Sequence, residues 1–159
     1  MYINTPFWIA ILLMLVFVVE LQTIPPGFEA RKVAVGSYEL RIKEEGSKCT
    51  VIYKGPHNGE ITLDIPPPCE FLRDHTGKAQ RQRYRRRRNA GFFDVILVIG
   101  GPLDTEKTHE LMKDGCATQA QAVSLSSRGV VAGIVGSGIL VCPLDHLDEK
   151  FFGSIAKQV

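Results

Sequence analysis

A chain of 159 residues with 45% apolar and 23% charged side chains can form one globular domain with a short appendage, and it is too apolar for an intrinsically disordered protein. Its net charge of +2 hides an asymmetry: six of its 19 basic residues fall between positions 81 and 88, and the other 13 face 17 acidic ones, a net −4. That excludes a molecule that is basic over its whole surface, so nucleic acid is not an expected general partner.

In chain order, Phe7–Val19 (FWIAILLMLVFVV) comes first, with no charge or polar group. As a helix it would span about 20 Å, short of a ~30 Å hydrocarbon core and suited to the apolar region of a secretory signal. Extension from Ile3 to Ile24 reaches about 33 Å, but takes in Asn4, Thr5, Pro6, Glu20, Gln22 and Thr23. No Lys or Arg precedes the run and no Ala-x-Ala-like site follows it. The expectation for 1–23 is an N-terminal apolar helix that directs export and stays as a single membrane anchor, with cleavage at a non-ideal site as the alternative. Arg31 and Lys32 beyond it count against an outside C-terminus under the positive-inside bias. Residues 24–32 (IPPGFEARK) read as a Pro/Gly-punctuated linker, and 33–159 as a single extracytoplasmic domain.

Within that domain, KVAVGSYELRIK (32–43) alternates, with Val33 and Val35 on one parity and Tyr38, Leu40 and Ile42 on the other. The change at Gly36-Ser37 predicts a bulge or tight turn. CTVIYK (49–54) and EITLDI (60–65) predict two strands around GPHNG, with Asn58-Gly59 as the hairpin signal. Pro66, Pro67 and Pro68 predict an extended exit that delivers Cys69. FFDVILVI (92–99) is a continuous apolar run, as in a strand buried on both faces, and it stops at Gly100-Gly101-Pro102. TEKTHELMKD, capped by Asp104 or Thr105 and ended by Gly115, predicts a short helix. QAQAVSLS (119–126) and GVVAGIVGSGILVC (129–142) predict strands, the second folded back at Gly136-Ser137-Gly138. Asp145 then opens a last helix with Leu147, Phe151 and Ile155 as its apolar spacing. The fold class is therefore α+β and sheet-rich: a mainly antiparallel sheet with two short helices, preceded by the apolar N-terminal helix.

Cys49, Cys69, Cys116 and Cys142 all follow the apolar segment. An even count behind an export signal predicts two disulfides. Of the three possible connectivities, Cys49–Cys69 and Cys116–Cys142 are favoured, because each would staple a local two-strand unit. Zinc needs close ligand pairs, and only Cys142 with His146 has such a spacing, so no metal is expected.

RQRYRRRRN concentrates Arg81, Arg83, Arg85, Arg86, Arg87 and Arg88 around Tyr84. In an extended chain Arg81, Arg83, Arg85 and Arg87 share one face. Such a row could neutralise phosphates or anionic lipid headgroups, but a single Tyr84 offers little surface for base stacking. The bland expectation is a solvated loop. Catalytic patterns fail on inspection. His109-Glu110 begins an H-E-x-x-H match that ends at Lys113, and Ser137 lacks the flanking glycines of a nucleophile elbow. Neither an enzyme nor a cofactor is expected. By elimination and size, the expected function is a membrane-tethered or exported protein-binding, inhibitor or immunity-like module. Its partner would be another envelope or secreted protein, in the periplasm or outside the cell, with the membrane engaged through Phe7–Val19. The alternatives are a binder of lipid, polysaccharide or nucleic acid through the arginine run, and an accessory subunit of a membrane complex. Loops 54–59, 73–91 and 100–105 are the expected contact regions.

Overall fold

Alternating apolar residues in the first half of the domain form one side of a sandwich. A computed structural model describes residues 31–85, 91–102, 116–142 and 146–156. The expected N-terminal apolar helix, nearly all of the linker, Arg86, Arg87, Arg88 and the helix over TEKTHELMKD lie outside the described residues. No helix among the described residues is long and apolar enough to cross a membrane.

The first sheet is an antiparallel meander of β1 (Lys32–Val35), β2 (Tyr38–Glu45), β3 (Lys48–Lys54) and β4 (Gly59–Leu63), hydrogen-bonded in that order. Val33 and Val35 join Tyr38, Leu40 and Ile42 in one core despite their opposite parity. The chain reverses at Gly36, whose φ of 60° suits a residue without Cβ, so that Val35 lies opposite Tyr38. Asn58 closes the next turn by accepting from the Gly55 amide at 3.0 Å. The outer face of this sheet is polar, with ion pairs between Lys32 and Glu39 and between Lys43 and Glu45. Exposed pairs of this kind contribute about 0–1 kcal/mol each, so the inward face carries the stability.

The second sheet is also antiparallel. It contains β5 (Glu70–Phe71), β6 (Arg81–Arg85), β7 (Phe92–Pro102), β8 (Ala117–Ser126) and β9 (Gly129–Val141). β5 and β6 both pair with β7, which is followed by β8 and then β9. β7 is buried on both faces, as its unbroken apolar run implied. Ile96 and Val98 face the first sheet, while Val95, Leu97 and Ile99 belong to a second core completed by α1 (Glu149–Ala156) through Phe152, Ile155 and Ala156. The result is three layers: meander, five-stranded sheet and one short helix. Gly100 allows the close passage of the proline segment. A Cβ there would stand 2.7 Å from the Pro66 carbonyl oxygen and 2.9 Å from Cys69 Sγ.

Both expected disulfides are present, Cys49–Cys69 and Cys116–Cys142. Their roles differ from each other. Cys116 and Cys142 join the ends of adjacent β8 and β9, as a local staple does. Cys49 lies on β3 and Cys69 just before β5, so that bridge ties one sheet to the other. Beside it, Glu44 Oε1 accepts from the Cys69 amide at 2.9 Å and from Arg31 Nη2 at 3.0 Å.

Three local expectations need correction. The segment 129–142 does not fold back at Gly136-Ser137-Gly138. β9 continues through them, with Gly136 opposite Ala120 and Ser137 opposite Gln119, and its extra residues are absorbed by register shifts against β8. The last helix, expected to open at Asp145, begins at Glu149 and is capped by Asp148. Asp148 Oδ1 accepts from the amides of Lys150 at 2.8 Å and Phe151 at 2.9 Å. That phase buries Phe152 with Ile155 and leaves Phe151 exposed. Finally, residues 81–85 form a strand, not a loop, because β7 offers them a partner edge.

Candidate binding surface at the turn end of the sandwich

The alternation in RQRYR becomes a real division of faces once β6 pairs with β7. Arg81, Arg83 and Arg85 are exposed, while Gln82 and Tyr84 are half-buried. Alternate residues of a strand stand about 6.6–6.8 Å apart, which sets the spacing at which the three arginines leave the backbone. Arg83 is committed internally. Its Nε donates to Asp94 Oδ1 at 3.0 Å and its Nη2 to Oδ2 at 3.1 Å, a two-pronged pair that raises the guanidinium pKa further. The Asp94 side chain is only 13% exposed, so this pair anchors β6 to β7 more than it presents charge. Arg81 and Arg85 have no carboxylate within ion-pair distance among the described residues.

Tyr84 leaves the arginines and joins the helix side. Its ring stacks on Phe93 at 5.6 Å and its hydroxyl donates to Gln82 Oε1. Burial raises its pKa, with the Glu149 carboxylate adding to the effect. The described part of the basic run thus separates into exposed cations on one face and a packed aromatic on the other.

Across the strand pair, Phe92 lies opposite Arg85 and is 62% exposed. This residue was hidden in the sequence inside an apolar strand, and nothing in the local pattern marks it as projecting. It stands at the first position of β7. Phe92 borders a cleft of about 210 Å³ whose walls include the Arg83–Asp94 pair, Tyr38, Pro56 and Ser126. Turns from both sheets converge there and are fastened together. The Tyr38 hydroxyl donates to the Ser126 carbonyl at 2.9 Å, and His57 Nε2 bonds the Ser127 carbonyl at 2.8 Å. Of the expected contact loops, 54–59 and the β6 stretch of 73–91 meet at this end.

A larger hollow of about 490 Å³ lies between Asp74, Lys78, Gln80, Arg81, His146 and Glu149. Its groups serve the fold. Asp74 Oδ1 accepts from the Thr76 amide at 2.8 Å, the Thr76 hydroxyl at 2.6 Å and the Lys78 amide at 3.2 Å, which holds its carboxyl below the usual range. Gln80, itself buried, donates to the Leu147 carbonyl at 2.6 Å and accepts from the Leu147 amide at 3.1 Å. That reciprocal pair pins the approach to α1. His75 and His146 stand edge to face with ring centres 6.0 Å apart. Among the described residues no three His, Cys, Asp or Glu side chains converge to hold a metal. The arrangement offers recognition chemistry: an aromatic knob, two exposed guanidinium groups and a shallow cleft.

No family model, no curated protein and no solved structure matches this chain.

Proposed function

We propose that this chain is an exported protein-recognition module that docks another envelope or secreted protein on the turn end of its sandwich. One observation carries the reading: Phe92 stands largely exposed beside Arg85, at a cleft where turns of both sheets are bonded together. Aromatic residues and arginine are the side chains most enriched at protein interfaces, and a rigid frame lowers the entropy cost of using them. The partner surface is expected to pair an apolar pocket for Phe92 with carboxylates for Arg81 and Arg85. Two disulfides suit an oxidising compartment, and Phe7–Val19 supplies the export signal or tether.

The test replaces Phe92 with a photo-crosslinking aromatic in the full chain expressed in its native host. A discrete crosslinked protein should form, and Arg85→Ser should reduce its yield at least fivefold, while Lys43→Ser on the outer meander face should not. Equal yields for both variants would remove the turn end from consideration.

Arg81 and Arg85 on one exposed face support a second reading, an anionic-surface binder of lipid, polysaccharide or nucleic acid. Binding to heparin or phosphatidylglycerol vesicles that falls steeply between low and physiological salt would favour it. Salt-insensitive capture of a protein would favour the first.

A further inference from the structure

Among the described residues each sheet ends in two edges, and three of the four are blunted in familiar ways. β1 has four residues and begins with Lys32. β4 has five and carries Glu60. The outer side of β7 is covered by two short strands, one of two residues and one bearing arginines. β9 has none of these devices. It is 13 residues long, GVVAGIVGSGILV, without a charge or a proline, and it is the outermost strand of its sheet among the described residues.

Natural edge strands are usually short, charged, bulged, interrupted by proline or covered, since an open ladder recruits another strand; of these devices β9 carries only the irregularities at its two register shifts against β8. Half of the backbone groups of an antiparallel edge strand point away from its one neighbour. Three of the five large apolar side chains exposed among the described residues lie on β9: Val131 at 56%, Ile134 at 67% and Leu140 at 47%. Ile134 projects at a register shift, where the Gly133 carbonyl turns inward to accept from Gln121 Nε2 at 2.7 Å.

We propose that β9 is where two copies of this chain pair, antiparallel and across a two-fold axis, to make one continuous sheet. A two-fold contact sets a patch against itself, so a patch whose charges are all of one sign repels its own copy. β9 avoids that repulsion by carrying no charge, and the arginine-bearing edge of the same sheet does not. Glycines at 133, 136 and 138 lie among the exposed Ile134 and Leu140, leaving gaps that those two side chains of the other copy can fill. The pairing directs the two turn ends in opposite directions, and it stands whether or not those ends bind a partner.

The test is sedimentation of the oxidised full chain in dodecyl maltoside over a thousandfold concentration range. A reversible dimer is expected, weakened at least tenfold by Val131→Lys with Ile134→Lys, both exposed positions. Hydrogen exchange on the wild-type chain provides an independent readout should the variant misfold. Amides of 129–141 should slow as concentration rises, while those of β1 and β4 should not change. A monomer throughout the range overturns the proposal. So does a dimer that ignores the paired lysines in a folded variant, or β9 exchange that slows only when an extended apolar peptide is added.

Discussion

Gln121 sits in the middle of β8 and is 1% exposed, yet both ends of its amide are used. Oε1 accepts from the Asp64 amide and Nε2 donates to the Gly133 carbonyl, each at 2.7 Å, so one side chain links the exit of the meander to the β9 edge. Replacement by leucine would leave both backbone groups without this partner. Each such loss in a buried setting costs roughly 1–3 kcal/mol, reduced here because both groups are only partly shielded from water. Gln121→Leu is expected to destabilise the chain by about 1–3 kcal/mol in total, read from the urea midpoint. The tyrosines make a second prediction at this scale. Burial raises the pKa of Tyr38 and Tyr84 above the ordinary 10.0, with Tyr53 adding for Tyr38 and Glu149 for Tyr84. The folded state therefore holds their protons more tightly than the unfolded chain does. That contribution is fully present below pH 10 and is lost as pH rises through the raised values. Denaturant midpoints should hold up to pH 10 and fall as pH rises beyond it, and Tyr84→Phe should flatten part of the fall.

At the scale of elements, α1 shows how an eight-residue helix persists when it is too short to be stable alone. Phe152 is fully buried against the second sheet and Ile155 nearly so, while Phe151 is exposed. Phe152→Ala should cost about 3–5 kcal/mol and free the helix to exchange its amides, whereas Phe151→Ala should stay within about 0.5 kcal/mol. Equal effects would mean that the helix is phased differently. The sequence pointed to Asp145 as the start of this helix, but Asp148 caps it. The one used follows from distant contacts, since Gln80 holds Leu147 and the sheet receives Phe152. The same holds for β9. Gly136-Ser137-Gly138 has turn composition, but β8 extends alongside and its pairing keeps the strand straight enough to continue.

Over the whole molecule the two sulfur bridges divide the work. Cys116–Cys142 closes a 26-residue separation along one sheet, and Cys49–Cys69 closes 20 residues between sheets. In the chain-entropy account these contribute about 3.5 and 3 kcal/mol. A Cys49→Ala, Cys69→Ala chain is expected to lose about 3 kcal/mol by chemical denaturation, and also to loosen the packing between meander and second sheet. Enhanced exchange confined to β3 and the 66–71 segment, with α1 unchanged, would match that picture. Uniform loosening of α1 as well would contradict it.

What the residues settle unaided is whatever depends on near neighbours. Period-two alternation placed β1 and β2, two short strand-like runs around Asn58-Gly59 placed β3 and β4, the parity change at Gly36-Ser37 marked a bulge or tight turn, and cysteine count and position indicated the two bridges. The composition also showed that the arginines are a local feature. What the tertiary arrangement alone decided is everything that depends on which strand lies alongside or across. It withdrew Arg83 into a pair with Asp94, left Phe92 exposed at the start of β7, and left β9 outermost among the described residues while shielding β7 on both faces. Alternation specifies that a strand has an inside, but not what covers it or which neighbour is missing. Those depend on contacts between residues far apart in the chain, and no local pattern encodes them.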